Sequence, residues 1–132
     1  PRSAFLPILS KDISATTAGQ TILFDSVITN IGTAYNGETG TFTAPIENLY
    51  LISVKITGFY KVELPIITRK NDNLYLRLFA NVNANTHRFD SSSVVTVMEL
   101  VKGDRVHVDC KQSNKYVEGS ERNTFFSGFL IE

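Results

Sequence analysis

The sequence predicts an all-β fold, and three features of the chain point to it. Helical periodicity of apolar residues is nearly absent along the 132 residues. Short runs rich in Val, Ile, Thr, Phe and Tyr recur instead, and clusters of Gly, Asn, Asp, Ser and Pro separate them. Many short strands in a chain of this length predict one domain, 1–132, built as a sandwich, a jelly roll or a barrel.

Turn signals between the runs set the bounds of the predicted strands. The signals lie at Asn30–Gly32, Asn36–Gly37, Asn71–Asn73 and Lys102–Asp104. The predicted strands are Ser3–Leu9, Thr21–Asn30, Gly40–Ala44, Asn48–Tyr60, Leu74–Val82, Ser92–Val101, Arg105–Lys111 and Thr124–Ile131.

Residue types justify the first of these strands. Ser3–Leu9 and Thr21–Asn30 carry aromatic and β-branched residues, which favour a pleated, half-buried surface. Gly40 and Pro45 bracket a short strand that carries Phe42 into the core, and Pro45 ends it because proline has no N–H for strand pairing.

The strand Arg105–Lys111 alternates strictly between apolar and polar residues. This pattern predicts one core face and one face in water, with Cys110 as a small buried hydrophobe and His107 as an exposed residue. The core face consists of Val106, Val108 and Cys110, and the water face of Arg105, His107, Asp109 and Lys111.

Three other predicted strands are apolar on both faces. In Asn48–Tyr60, for example, Tyr50 and Ile52 share one face while Leu49 and Leu51 lie on the other. A sandwich has one interior, so the second apolar face needs a cover, and a partner subunit is favoured over a loop or terminal strand of the same chain. The predicted subunit interface contains Leu49, Leu51, Val95, Val97 and Phe125.

A series of short motifs occurs along the chain in a characteristic order. The series consists of Ser3–Phe5, Ile22–Gly32, Thr39–Pro45 with Tyr50, Leu100–Val106 and Ser127–Ile131. Together these motifs strongly resemble the globular head domain of complement C1q, whose superfamily also includes the tumour-necrosis-factor-like cytokines. The resemblance covers essentially the whole chain.

The resemblance implies a ten-stranded jelly-roll sandwich of two antiparallel sheets that assembles as a homotrimer, one sheet facing the trimer axis and the other facing solvent. It also implies secretion, for which this chain carries no signal-peptide pattern. The sequence departs from the family in three respects: Asn48 stands where a Gly is common, a collagen-like Gly-x-y stalk is absent, and Asn71–Ser93 has no family signature.

The sequence lacks the motifs of the common enzyme chemistries. Neither His87 nor His107 lies in a nucleophile motif, and no phosphate-cradling Gly loop or spaced metal-ligand cluster occurs, so we expect no enzyme. A formal net charge of zero gives no sign of a nucleic-acid partner, and no apolar run approaches a membrane span. Some members of the family bind calcium. No ligand set is assigned here, although Asp25, Asp72, Asp90 and Asp104 lie in or near turns.

Three polar loops are the candidate ligand sites: Thr68–Asn73, Asn83–Asp90 and Gln112–Asn123. In the last loop, Tyr116 is suited to stack on a sugar, and its polar neighbours to bond hydroxyls or an acidic glycan. The candidate ligand-binding residues are Arg69, Lys70, Asp72, His87, Arg88, Asn114, Tyr116, Glu118 and Arg122.

Three functions follow from the resemblance. The first is a secreted, lectin-like recognition protein of innate immunity that binds glycans or other patterned surface ligands. The second is a cytokine- or hormone-like ligand of a cell-surface receptor. The third is a structural protein of the extracellular matrix.

Overall fold

A computed structural model describes residues 2–59, 63–81 and 89–131, and these residues contain eleven strands. The strands are β1 (Ala4–Ile8), β2 (Gln20–Thr21), β3 (Ser26–Ile31), β4 (Tyr35–Asn36), β5 (Thr41–Thr43), β6 (Asn48–Phe59), β7 (Glu63–Lys70), β8 (Asn73–Asn81), β9 (Phe89–Leu100), β10 (Arg105–Cys110) and β11 (Phe125–Leu130). No helix long and apolar enough to cross a membrane occurs in these ranges.

The strands form two antiparallel sheets. Sheet A has the order β3-β1-β11-β6-β9, and sheet B has the order β4-β5-β10-β7-β8, with the short β2 also paired to β10. The longest pairing joins β6 to β9, from Asn48 opposite Leu100 to Phe59 opposite Phe89. The jelly-roll sandwich of two antiparallel sheets is confirmed.

A cluster of aromatic rings joins the sheets in the core. The ring of Phe5 on sheet A stacks on that of Phe42 on sheet B, with centroids 4.4 Å apart, and meets the edge of Phe126 at 4.9 Å. Tyr50 is fully buried, and its hydroxyl donates a hydrogen bond of 2.7 Å to the carbonyl of Ile46. The buried phenol therefore has a partner for its one polar group.

The division into strands differs from the prediction at Thr21–Asn30, at β4, which lies where a turn was predicted, and at β7. The predicted strand Thr21–Asn30 is two strands, β2 and β3, because the chain crosses from sheet B to sheet A between them. The strand β7 was not predicted, although it pairs with β10 on one side and β8 on the other. The described residues contain eleven strands, two of them with only two residues each, where the resemblance implied ten.

The close approach of β11 to the core at Gly128 makes a testable prediction. A Cβ at this position would lie 2.6 Å from both Ile52 Cδ1 and Phe5 Cε1. Gly128→Ala should therefore overpack the aromatic cluster and destabilise the fold by about 1–3 kcal/mol in urea unfolding. The neighbouring Ser127→Ala, on the opposite face of the strand, should change the unfolding midpoint little. Equal midpoints for the two variants would contradict this packing.

Candidate functional site

A row of apolar side chains crosses the outer face of sheet A. The backbone register places one residue of each strand side by side across all five strands. Val97, at one end of the row, is 49% exposed in the single chain. The row runs Ile31, Ala4, Phe129, Leu51, Val97.

The five residues predicted at a subunit interface all lie on this outer face. Leu49 and Leu51 alternate with buried residues of β6, Val95 and Val97 alternate with less exposed residues of β9, and Phe125 lies on β11 opposite Lys55. Val95 is the most exposed of them, at 65%. Leu49 and Val97 are also exposed in the single chain, whereas Leu51 and Phe125 are half-buried.

A network of polar side chains lies on the outer face of sheet B and centres on Asp109. Its Oδ2 accepts a hydrogen bond of 2.7 Å from Arg69 Nε, and its Oδ1 accepts one of 2.8 Å from Thr21 Oγ1. The imidazole Nε2 of His107 lies 3.1 Å from the same Oδ1. The network ties β2, β7 and β10 together.

The prediction that His107 is exposed, and that Asp109 faces water, is wrong. The two residues are 9% and 6% exposed. They do point away from the core, as the alternation predicts, but β2 and β7 flank β10, and Arg69 and Thr21 close over the carboxylate.

The surroundings of Asp109 also shift its acidity. Burial alone would raise its pKa, but hydrogen bonds from His107, Thr21 and Arg69 outweigh burial and hold the pKa of Asp109 below its ordinary value. The ionised carboxylate is thus the stable form in the fold, and it holds Arg69 on the surface of sheet B.

One end of the sandwich carries Arg69, Lys70 and Asp72, three of the candidate ligand residues. Lys70 Nζ donates a hydrogen bond of 3.1 Å to the carbonyl of Glu99, and Asp72 Oδ2 accepts one of 2.8 Å from Arg105 Nη2. Lys70 belongs to β7, so the two basic residues are not a free turn. These groups brace the turns at this end and leave parts of their polar surface open to solvent.

The Asn71–Asp72 turn packs against the turn that contains Asp104. Asp104 accepts from Asn71 Nδ2 at 2.9 Å and from the N–H of Val101 at 2.9 Å. These two hydrogen bonds lower the pKa of Asp104. The carboxylate of Asp104 therefore caps a local turn.

The opposite end of the sandwich carries the candidates from the Gln112–Asn123 loop. Tyr116 is half-buried, its ring 5.7 Å from that of Phe59, while Asn114 and Arg122 are exposed on backbone of positive φ. His87 and Arg88 lie outside the described residues. The candidates within the described ranges therefore divide between two ends of the molecule and do not form one site there.

Glu118 does not belong among the ligand-binding residues. It is 2% exposed, and its carboxylate accepts hydrogen bonds from Ser120 Oγ at 2.9 Å and from the N–H of Glu121 at 3.1 Å. Its role is to fold the loop back on itself, so the expectation that it contacts a ligand is corrected.

Among the described residues, no three His, Cys, Asp or Glu side chains approach closely enough to hold a metal ion. Each of the four turn carboxylates has a local partner instead. The pairs are Asp25 with Ser10, Asp72 with Arg105, Asp90 with Asn81, and Asp104 with Asn71.

Solved structures of similar shape define the class of fold. The globular domain of zebrafish complement 1qA protein superposes with a TM-score of 0.79 at 19% identity and covers 98% of both chains. Murine APRIL superposes with a TM-score of 0.78 at 12% identity and covers 99% of this chain and 100% of its own. At these identities the likeness shows the shared jelly-roll fold alone.

The sequence comparisons give the family. A model of the C1q domain matches residues 4–131, and the chain belongs to the C1q domain family. It is 29% identical over 132 residues to a complement C1q subcomponent of Bos taurus, covering 99% of this chain and 52% of that protein. It is 30% identical over 130 residues to complement C1q tumor necrosis factor-related protein 3 of Mus musculus, covering 97% and 50%. The chain thus spans about half the length of these relatives.

The Asp109 network predicts a specific dependence of stability on pH. A carboxylate whose folded pKa lies below its unfolded value of 3.8 stabilises the fold above that value, and the stabilisation is lost as the pH falls through the folded pKa. Asp109→Asn should cost about 1–3 kcal/mol at pH 7 and should flatten the loss of stability below pH 4. Urea unfolding at pH 7, 5 and 3, at one protein concentration, measures both effects.

The matched control is Asp72→Asn, which removes an exposed carboxylate at the edge of the same region. It should change stability by less than about 1 kcal/mol at each pH. If Asp109→Asn kept the wild-type acid dependence, the network would not hold the strands as described.

Proposed function

We propose that the chain is a single C1q-like globular domain, residues 1–132, that acts outside the cell as a homotrimeric, non-enzymatic recognition protein. Its ligands are glycans or other patterned surface molecules, and its setting is innate immunity, in the manner of a lectin. Family membership supports the recognition role. The single observation that carries the proposal is the apolar row across the outer face of sheet A.

The row supports self-association for a physical reason. Soluble monomers rarely expose one contiguous apolar surface across a whole sheet. Val97 and Phe129 are 49% and 48% exposed and Leu51 between them is half-buried, so no loop within the described ranges encloses the row. The same face of a second and third copy offers matching apolar surface, and burying it contributes about 25 cal/mol per Å².

Trimerisation through sheet A leaves sheet B and the loop ends available for ligands. Single sites on such loops bind weakly, but three sites on one particle raise the effective affinity for a repetitive surface by orders of magnitude. A patterned ligand is therefore the kind that this arrangement favours.

A receptor ligand of the cytokine type is the second candidate, and the observation that favours it is the 30% identity to complement C1q tumor necrosis factor-related protein 3 of Mus musculus. Such a protein would bind one protein receptor at saturation, and removal of cell-surface glycans would not affect attachment.

Two adjacent residues of β6 test the trimer. Leu51→Asp places a charge on the apolar row, where it is hydrated in the free chain, and should yield folded monomers of 14.7 kDa. Tyr50→Asp places a charge in the core and should abolish folding. Sedimentation equilibrium and circular dichroism measure assembly and folding. Phe79→Asp, on the outer face of sheet B, is the control and should remain trimeric.

A glycan array with the intact oligomer tests recognition. The expected result is selective binding that free saccharide competes away. Wild-type protein that sediments as a monomer at micromolar concentration would contradict the trimer, and an array without a bound saccharide would contradict the lectin-like role. The trimer and the lectin-like role can therefore be contradicted independently of each other.

A further inference from the structure

A groove on the outer face of sheet B lies apart from both loop ends of the sandwich. It runs between β8 and the end of β10, over the first half of β7, and has a volume of about 220 Å³. The register of β7 and β8 places Pro65 opposite Phe79 and Ile67 opposite Arg77. The N–H of Lys111 donates a hydrogen bond of 3.0 Å to the carbonyl of Pro65. The groove is therefore built by three strands and not by a single loop.

The floor and the rim of this groove differ in chemistry. Pro65, Ile67 and Phe79 form an apolar floor, and the ring of Phe79 is 51% exposed. Arg77 stands on one side and Lys111 on the other, and both side chains are exposed. An apolar floor between two cations fits a ligand that has an apolar face and a negative charge at its edge.

The two cations of the rim differ from those near the Asn71 turn. Arg69, Lys70 and Arg105 each have an aspartate within 4.0 Å. Within the described residues, Arg77 and Lys111 have no ion pair or side-chain hydrogen bond. An incoming anion would not have to displace an existing partner.

We propose that this groove is the binding site for an acidic saccharide, an inference that rests on the proposed lectin-like function and specifies its ligand. The C–H face of a sugar ring packs on Phe79 and Pro65, as apolar ligand faces pack on exposed aromatic rings. A sulfate or carboxylate group on the ring pairs with Arg77 and Lys111, and a hydroxyl reaches Gln112.

Size and position favour a polysaccharide over other anions with apolar faces. The groove is only partly enclosed, whereas an acyl chain needs a cavity that encloses most of its surface. A stable protein partner buries about 1,200–2,000 Å² in total, well beyond this depression. The groove lies on the sheet opposite the apolar row, so three copies stay open in the proposed trimer, and one repetitive polyanion can engage several of them.

The probe is a heparin tetrasaccharide, with neutral maltotetraose beside it, titrated calorimetrically into the intact protein at 150 mM NaCl. Wild-type protein should bind the heparin fragment and not the neutral one. The double variant Arg77→Gln/Lys111→Gln should bind it about tenfold more weakly, because both charge-assisted contacts are lost. Phe79→Ser, which leaves the charge unchanged, should also weaken binding.

The matched control is Lys11→Gln/Lys102→Gln, which removes two exposed positive charges elsewhere and should bind within about twofold of wild type. If both double variants lost the same affinity for the heparin fragment, the groove would not be the binding site, since binding would then follow net charge alone. Selective binding of the neutral tetrasaccharide would overturn the acidic ligand while leaving the lectin-like function. An array without any bound saccharide would overturn both proposals.

Discussion

A two-sheet sandwich encloses one interior, and each strand contributes only every second side chain to it. The aromatic cluster around Phe5 and Phe42 fills that interior and consumes the inner faces of both sheets. Apolar residues on the outer face of sheet A consequently do not belong to the core of the single chain. In this row, Val97 and Phe129 remain about half exposed in the single chain. In the proposed trimer, the position of the free surfaces and ligand sites follows from the burial of this row.

On sheet B, polar groups occupy the outer face of β10, while Leu74, Tyr75 and Phe79 of the edge strand β8 remain exposed. Its outward residues on β10 meet partners on neighbouring strands, and Asp109 is satisfied by Arg69 and Thr21 rather than by water. These hydrogen bonds hold the strands of sheet B together without an apolar cover, so the outer face of the sheet can stay in contact with solvent. The remaining apolar floor around Phe79 is small and flanked by cations, which suits a small charged ligand better than a second copy of the chain.

Most of the fold could be predicted from the sequence, because the alternation of apolar and polar residues and the turn residues are local properties. The two faces of β6 could be assigned from Tyr50 and Leu51 alone. Strand β7 was missed, although Leu64 and Ile66 are buried on one face: its Pro65 breaks the usual strand pattern. The exposure of His107 and Glu118 could not be predicted, because it depends on β2, β7 and a folded loop that are distant in sequence. The groove could not be predicted either, because its residues come from β7, β8 and the end of β10, which is distant in sequence from the other two.

The most direct measurement compares thiol labelling at two introduced cysteines in the intact protein. Val97→Cys lies in the apolar row and Phe79→Cys on sheet B, and the replaced side chains are 49% and 51% exposed in the single chain. The native Cys110 is fully buried and provides an unreactive background. Trimer formation through sheet A predicts slow labelling at position 97 and fast labelling at position 79. Equally fast labelling at both positions would contradict it.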